Sequence, residues 1–510
     1  MMMMTPHGFV GDREIPIPGD SLVSINPADP SEVVFSAAPV DAHADEAVGE
    51  AREAFEVWSR WPFERRVKVL QRFKEIASAR VDEVALLISR ETGKVFWDSK
   101  AEAGLLASKV DITLDTTVPN AGMARVSGYE VPATETRAGR CWFRPHGVMA
   151  VIGPFNFPAH LPNGHIIPAL AMGNTVVFKP SDKAPAVGQV LASMYREALA
   201  AEGAPLGVVN LVQGGAGPAS KLVAHDGIDG VLFTGSWPVG RRILEANLDN
   251  PGRIIALEMG GNNAALVMPD ADLRQAAIEC VRAAFVTTGQ RCTCTRRVIV
   301  HESVADRFIG AVCKAASLLV IGKPDAEHPV FMGPIISAEA RDAVLDFQHN
   351  AADAGAELRL QARAISEHGE GFYLSPGVMK VDRFSIDDGP GRDEEVFGPL
   401  LRISVSDSLD DMIAQANATR FGLAASIFSS DERAIARFMH EARAGCVNVN
   451  TGTAGASSKL PFGGLGHSGN HRPAGAYSLD YCAYPVAGLI ERGDAAGLLP
   501  GMAFEDKWLG

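Results

Sequence analysis

A cysteine, a glutamate and an asparagine stand in surroundings that suit covalent chemistry at a carbonyl carbon. Cys292 ends the run Gly289-Gln290-Arg291-Cys292 and follows the small residues Thr287 and Thr288, so a substrate can reach its sulfur. A thiol attacks as thiolate, so it needs a base or surroundings that lower its pKa. Taken alone, a cysteine is more often a small buried hydrophobe. Cys294 carries the same ambiguity, and Cys292-Thr293-Cys294 lacks the two further ligands of a structural zinc, so no metal is expected. Glu258 follows the apolar run Ile254–Leu257 and precedes Gly260 and Gly261. A carboxylate there can carry a raised pKa and swing between positions, as a general base for water must. A helix cap or loop acid explains it equally well. Asn156, within Pro154-Phe155-Asn156-Phe157-Pro158, can aim its amide at a developing oxyanion or simply hold a turn.

Regular elements must hold these residues. Val148–Ile152, Thr175–Phe178, Val208–Val212 and Gly230–Phe233 are short, apolar, β-branched runs, with helical windows Ala186–Ala200 and Ala216–Ala224 between them. That alternation predicts a parallel sheet with crossover connections. Ile254–Leu257 and Ala265–Val267 read as further strands of the same sheet. Phe233-Thr234-Gly235-Ser236-Trp237 is a strand, a tight turn and a helix start, whose free N–H groups suit a pyrophosphate. Gly215-Ala216-Gly217 falls short of a dinucleotide fingerprint, because Ser220 stands in place of the third glycine. A second α/β unit begins near Ala271, with a long helix, a strand at Val298–Val300 and a helix at Val304–Leu319. Residues 1–35, punctuated by Pro16, Pro18, Pro27 and Pro30, read as extended arms and turns; Ala42–Thr117 as helices; Val118–Arg144 as less regular. Thr451–Asn470 is rich in Gly and Ser, which suits backbone close to a ligand or another chain, and Ala483–Ile490 reads as a last strand.

At 510 residues the chain exceeds one ordinary core. A net charge of −14 argues against a nucleic-acid footprint, which needs clustered cations. No run of about 18 apolar residues predicts a membrane span, and the N-terminus lacks a basic-then-apolar leader. Seven scattered cysteines, an odd number, read as free thiols in a reducing cytoplasm.

Taken in order, these motifs resemble the aldehyde dehydrogenase family. Cys292 follows Glu258 by 34 residues, the family's spacing between nucleophile and base. Lys179-Pro180-Ser181-Asp182 is similar to its adenosine-ribose motif, Glu395-Val396-Phe397-Gly398-Pro399 to its nicotinamide-ribose motif, and Pro461-Phe462-Gly463-Gly464 with Ser468-Gly469 to its late glycine-rich motif. The likeness runs from Ile25 to Leu489. It implies an α/β protein: a Rossmann-like NAD(P)-binding domain (1–122 and 147–259), an α/β catalytic domain (260–480), a small β oligomerisation arm (123–146 and 481–495) and a tail (496–510). It also implies roles. Cys292 attacks the aldehyde, Asn156 and the Cys292 N–H hold the oxyanion, and Glu258 activates the water that cleaves the thioester. Phe155, Lys179, Ser181, Asp182, Gly235, Ser236, Glu395 and Phe397 bind the cofactor. NAD is expected, because Asp182 repels a 2′-phosphate; NADP stays open, because the family's usual residue there is Glu and Lys183 adjoins it.

A narrower resemblance is to the N-succinylglutamate 5-semialdehyde dehydrogenase subfamily of arginine catabolism. His160-Leu161-Pro162-Asn163-Gly164-His165, Gln290-Arg291-Cys292-Thr293-Cys294 and Gly469-Asn470-His471-Arg472-Pro473 carry it. Val449, where the subfamily usually has Trp, and the segment Thr113–Gly122 depart from it. The substrate implied is N-succinyl-L-glutamate 5-semialdehyde, oxidised to N-succinyl-L-glutamate, with another acidic semialdehyde (succinate or glutamate semialdehyde) as the alternative, and Arg291, His471 and Arg472 are carboxylate-binding candidates. A cytoplasmic homodimer or homotetramer is expected, with no nucleic-acid or membrane partner. Three other readings fit less well. A coenzyme A-acylating relative lacks the Glu base, a non-catalytic relative loses Cys292, Glu258 or Asn156, and a cysteine hydrolase leaves the cofactor motifs without a role.

Overall fold

The computed structural model describes residues 4–387, 389–493 and 497–510. The expected junction of arm and tail, at residues 495 and 496, lies outside the described residues. Two seven-stranded sheets organise the chain. In the first, Ile254–Glu258, Gly230–Thr234, Val148–Ile152, Thr175–Lys179 and Val209–Leu211 run parallel in that spatial order. Alternate residues of its strands enter two separate apolar clusters: Met149, Val151, Val176 and Phe178 in one, Val148, Ala150, Ile152 and Val177 in the other. Burial on both faces is why these strands read as unbroken apolar runs. The chain-order reversal falls between Val148–Ile152 and Gly230–Thr234, and a crevice beyond the carboxyl ends of the strands is the expected binding place at such a switch.

The second sheet runs Glu357–Leu360, Gly377–Lys380, Leu400–Ser406, Thr295–His301, Asn263–Val267, Ala424–Phe428 and Cys446–Val449, with an antiparallel strand at one edge. Here the structure corrects an expectation. Residues 265–267 do not continue the first sheet; Asn263–Val267 sits inside the second, between Thr295–His301 and Ala424–Phe428. The turn Met259–Asn262 therefore links the two sheets, and an apolar run carries no mark of which sheet it joins.

Other differences have similar causes. The N-terminal arms are strands: His7–Val10 pairs antiparallel with Val209–Leu211 at Phe9↔Leu211, and Pro18–Asn26 pairs with Asp29–Ala37. Helix His160–Met172 was not foreseen; Pro162, Gly164 and Pro168 lie inside it, and nearly all of it is buried, so no amphipathic stripe marks it. The less regular stretch contains Tyr129–Pro132 and Arg137–Pro145, which form a three-stranded antiparallel sheet with Ala483–Glu491. That sheet is largely exposed, so its strands lack an alternating apolar face. The helices expected over Ala42–Thr117 are four: Ala42–Trp58, Phe63–Ala79, Val81–Thr92 and Phe96–Leu114. No helix among the described residues is long and apolar enough to cross a membrane.

Candidate active site

Four strand ends of the first sheet open onto one crevice. Glu258 closes Ile254–Glu258, Thr234 closes Gly230–Thr234 with Gly235 after it, Asn156 follows Val148–Ile152, and Lys179 closes Thr175–Lys179. Cys292 arrives from the second unit, in the turn between helix Leu273–Phe285 and strand Thr295–His301. All of these line a single cavity of about 1370 Å³, which Glu395 and Phe397 also line.

The turn that carries Cys292 is strained. Thr287, Thr288 and Gly289 take φ of 55°, 54° and 72°, a left-handed region that β-branched residues avoid. A Cβ on Gly289 would meet the Gly398 carbonyl oxygen at 2.2 Å, so both conformation and space require glycine there. Side-chain bonds hold the rest. Thr287 donates to Asp98 at 2.5 Å, Thr288 donates to the Gly333 carbonyl at 3.0 Å, and Arg291 donates to Thr287 at 2.7 Å and to Asp98 at 2.7 Å. Arg296, 1% exposed, donates to the carbonyls of Gly261, Gly289 and Arg291. Asn263 Nδ2 lies 2.8 Å from both the Cys292 and Cys294 carbonyl oxygens. The Cys292 carbonyl is thereby bound, while its N–H has no protein acceptor among the described residues. Asn156 Nδ2 donates to the Gln290 carbonyl at 2.9 Å, which anchors the amide beside the same N–H and leaves its second hydrogen available. Two donors so placed suit an oxyanion.

Charge is scarce at the centre. Burial raises the Cys292 thiol above its ordinary range, and Glu258 and Glu395 push it further. Burial likewise raises the Glu258 carboxyl, partly offset by Arg472, and neither Glu258 oxygen has a hydrogen-bond partner among the described residues. An acid left bare and buried keeps its proton longer, and a carboxylate raised in this way is a stronger base toward water.

The groove beside Cys292 suits a dinucleotide. Lys179 is 5% exposed, bonds to no protein acceptor among the described residues, and is lowered to about 8 by burial, with Asp182 opposing. An ammonium so placed is ready for ribose hydroxyls. Ser181 and Asp182 are its neighbours on the wall. Ser236 stands at the N-cap position of helix Trp237–Glu245 without a side-chain capping bond, with Gly235 before it, and both line the groove, so the free N–H groups of the helix N-terminus can face a pyrophosphate. Glu395 accepts from the Gly261 N–H at 3.0 Å and lies 3.6 Å from Arg296; Phe397 meets Phe155 edge-on at 5.9 Å.

The substrate-binding candidates fare differently. Arg291 lines the cavity, but its guanidinium is committed to buried Asp98 and lies over the Phe157 ring. His471 and Arg472 do not line it: both have left-handed φ, of 56° and 53°, and Arg472 donates to the Gly464 carbonyl at 2.8 Å, beside Glu258. The cavity is lined also by Leu105, Ile112, Phe157, His160, Ser457 and Lys459, the last exposed and in no ion pair among the described residues. Sequence reasoning passed over Lys459, Asp98, Asn263 and Arg296. Of these, Arg296 left a signal: Arg296-Arg297 interrupt an otherwise apolar strand, and arginines are buried when they are bonded.

Comparison with known proteins adds the following. The profile described as "Aldehyde dehydrogenase family" matches residues 17–485. N-succinylglutamate 5-semialdehyde dehydrogenase 1 of Caulobacter vibrioides is 46% identical over 461 residues, 90% of this chain and 94% of that one. An indole-3-acetaldehyde dehydrogenase structure complexed with NAD+ superposes with a TM-score of 0.89 at 27% identity, covering 96% of this chain and 97% of that one. A glyceraldehyde-3-phosphate dehydrogenase of Methanocaldococcus jannaschii complexed with NADP gives 0.84 at 28% identity, covering 92% and 99%.

Proposed function

This chain belongs to the aldehyde dehydrogenase family and oxidises an aldehyde with a nicotinamide cofactor; we propose that the aldehyde is N-succinyl-L-glutamate 5-semialdehyde and that NAD is the preferred acceptor. The observation that carries the chemistry is the convergence of Cys292, Glu258 and Asn156 on one cavity that continues into the Lys179–Glu395 groove. Cys292 adds to the aldehyde carbon, and the oxyanion of the thiohemiacetal lies against the Asn156 amide and the Cys292 N–H. Removing one such donor costs about 2.7–4 kcal/mol in barrier. A nicotinamide bound in the groove supplies the hydride acceptor. Lys179, Ser181 and Asp182 hold the adenosine ribose, Gly235 and Ser236 the pyrophosphate, and Glu395, Phe397 and Phe155 the nicotinamide end. Glu258 then takes a proton from the water that cleaves the thioester, and the carboxylate leaves. The enzyme works as a cytoplasmic homo-oligomer, a dimer or tetramer, in which the exposed three-stranded sheet ending in Ala483–Glu491 is the natural contact.

Support for the acidic substrate is the kinship above together with two cations on the wall, Lys459 and Arg291. Lys459 is unpaired among the described residues, and Arg291, although paired, keeps N–H groups in reserve. The expected result is a kcat/KM for the succinylated semialdehyde at least about tenfold above that for uncharged aldehydes of equal length, the size of one charge-assisted bond. Initial rates over a panel that includes succinate semialdehyde and glutamate semialdehyde measure it. Preference for the uncharged aldehydes would remove the carboxylate reading.

Asp182 stands exposed at the ribose end of the groove, next to Lys183. Like charges there disfavour a 2′-phosphate, so kcat/KM with NAD should exceed that with NADP by about tenfold or more. A ratio near one would mean that Lys179 or Lys183 takes the phosphate.

A further inference from the structure

Helix Phe96–Leu114 and the loop before it carry buried charges that the reaction above leaves unused. Lys94 is 4% exposed, Asp98 2% and Glu102 1%, and none of them lines the cavity. Asp98 and Glu102 stand one turn apart, on the helix face that further along presents Leu105 and Ile112 to the cavity. Lys94 Nζ donates to Glu102 Oε2, and its charge also reaches Asp98. Burial opposes the charge on Asp98, yet Lys94, Arg291 and the Thr287 hydroxyl together hold its carboxyl below the ordinary range.

This row of charges holds two segments of the site from behind. On the nucleophile side, Asp98 accepts from Thr287 Oγ1 at 2.5 Å and from Arg291 at 2.7 Å. On the oxyanion side, Glu102 Oε1 accepts from the Ala159 and His160 N–H groups at 3.0 and 3.1 Å. The Phe157 ring joins the two halves: Lys94 Nζ lies 3.6 Å from its centroid and the Arg291 guanidinium carbon 5.1 Å from it. The segments held in this way are those that carry Cys292 and Asn156. The left-handed turn at Thr287 and Thr288 persists only where its surroundings over-determine it, and Asp98 supplies such a bond. Burying charges is a poor way to gain stability, but bonds to both segments at once fix where those segments stand.

We propose that Asp98 and Glu102 are positioning residues that set the spacing between the Asn156 amide and the Cys292 N–H, so that both donors meet one oxyanion. The idea rests on the reading of those two groups as the oxyanion donors. Neither acid reaches the cavity wall, so each acts through the segment that it holds. A donor misplaced by about 1 Å costs up to about 10²-fold in rate.

The test is a double-mutant cycle between Asp98→Asn and Asn156→Ala, read as the rate constant of the NADH burst on rapid mixing with aldehyde at saturating cofactor. The amide of Asp98→Asn can still accept from Thr287 but presents no charge to Arg291. Asn156→Ala alone should slow the burst by about 10²–10³-fold, the usual loss for one oxyanion donor. Asp98→Asn alone should slow it by about 10–10²-fold, but by less than about threefold once Asn156 is gone, because the spacing that it sets then has no use. Cofactor affinity, read by fluorescence quenching, should be unchanged. Glu102→Gln, which loses the charge pair with Lys94, should show the same dependence on Asn156. Thr287→Ala removes the hydroxyl that reaches Asp98 and should slow the burst, whereas Thr287→Ser keeps it and should restore the rate. Should Asp98→Asn not fold, the two Thr287 variants run against Asn156→Ala decide the matter. Equal slowing with and without Asn156 overturns the proposal, as does a folded Asp98→Asn enzyme with the wild-type burst, or a Thr287→Ser enzyme as slow as Thr287→Ala. If Asn156→Ala keeps the wild-type burst, the oxyanion reading itself has failed; if Asn156→Ala is slow but the cycle is additive, the positioning role alone fails.

Discussion

Cys292→Ala should lose dehydrogenase turnover by about 10⁴-fold or more, the scale on which covalent nucleophiles are missed, while Cys294→Ala keeps most of its activity. The two cysteines are two residues apart, yet the fold separates them sharply. Cys292 lines the cavity beside Asn156 and Glu258. Cys294 is 0% exposed, directs its sulfur to the Val286 carbonyl at 3.9 Å and is absent from the cavity wall. NADH formation at saturating aldehyde reads the loss, and cofactor binding by fluorescence quenching shows that the groove is intact. Normal turnover in Cys292→Ala would falsify the mechanism. Because burial holds the free enzyme's thiol protonated, alkylation of Cys292 should also quicken as pH rises, since the reactive thiolate fraction grows.

Glu258→Gln should separate the two halves of the reaction. Attack and hydride transfer need no deprotonated water, so rapid mixing should show one NADH per site, followed by turnover slower by roughly 10²–10⁴, the usual contribution of a general base. Absence of the burst, with an equally slow first turnover, would move Glu258 to thiol activation. The same substitution should act on stability with a defined sign. Folding raises the Glu258 pKa, so above its unfolded value the native state binds more protons than the unfolded one and stability falls as pH rises. Glutamine removes that penalty. Thermal unfolding of Glu258→Gln should therefore occur at or above the wild-type temperature at pH 8, and the difference should vanish below pH 4. A variant clearly less stable at pH 8 would mean that the carboxylate has a partner that this arrangement lacks.

Several elements could be read from the chain because their signal is local. Val148–Ile152, Thr175–Lys179 and Gly230–Thr234 are buried on both faces and so announce themselves as apolar β-branched runs. Helix Ala216–Ala224 has a conventional pattern and spans the residues that the sequence predicts. Where local preference and tertiary setting disagree, the reading failed. Helix His160–Met172 holds two prolines and a glycine and is stabilised from outside: Glu102 accepts from the Ala159 and His160 N–H groups at 3.0 and 3.1 Å, taking the place of a local cap. Arg137–Pro145 pairs with Ala483–Glu491, some 350 positions on, and Tyr129–Pro132 pairs with it at its other edge; no window of sequence contains the distant partner.

The same division runs through the site. The residue types, their order and the glycines around them can be read along the chain, because a thiol, an acid and an amide have the chemistry they have wherever they stand. Which of them meet is decided in three dimensions. Glu258 and Cys292 belong to different sheets and converge because Asn263–Val267 starts the second sheet immediately after Glu258 ends its strand in the first. Arg291 has the charge to hold a carboxylate, yet its nearest anion is Asp98 on helix Phe96–Leu114, which is far away in sequence. His471 and Arg472 do not line the cavity; both stand in left-handed backbone, and Arg472 donates to the Gly464 carbonyl beside Glu258. Lys459 reaches the wall from Thr451–Asn470, whose glycines and serines suit a close approach to a ligand without marking which side chain makes it. Charge and reactivity are properties of single residues and travel with the sequence. Pairing, burial and therefore pKa are properties of neighbours, and the neighbours are chosen only when the sheets assemble.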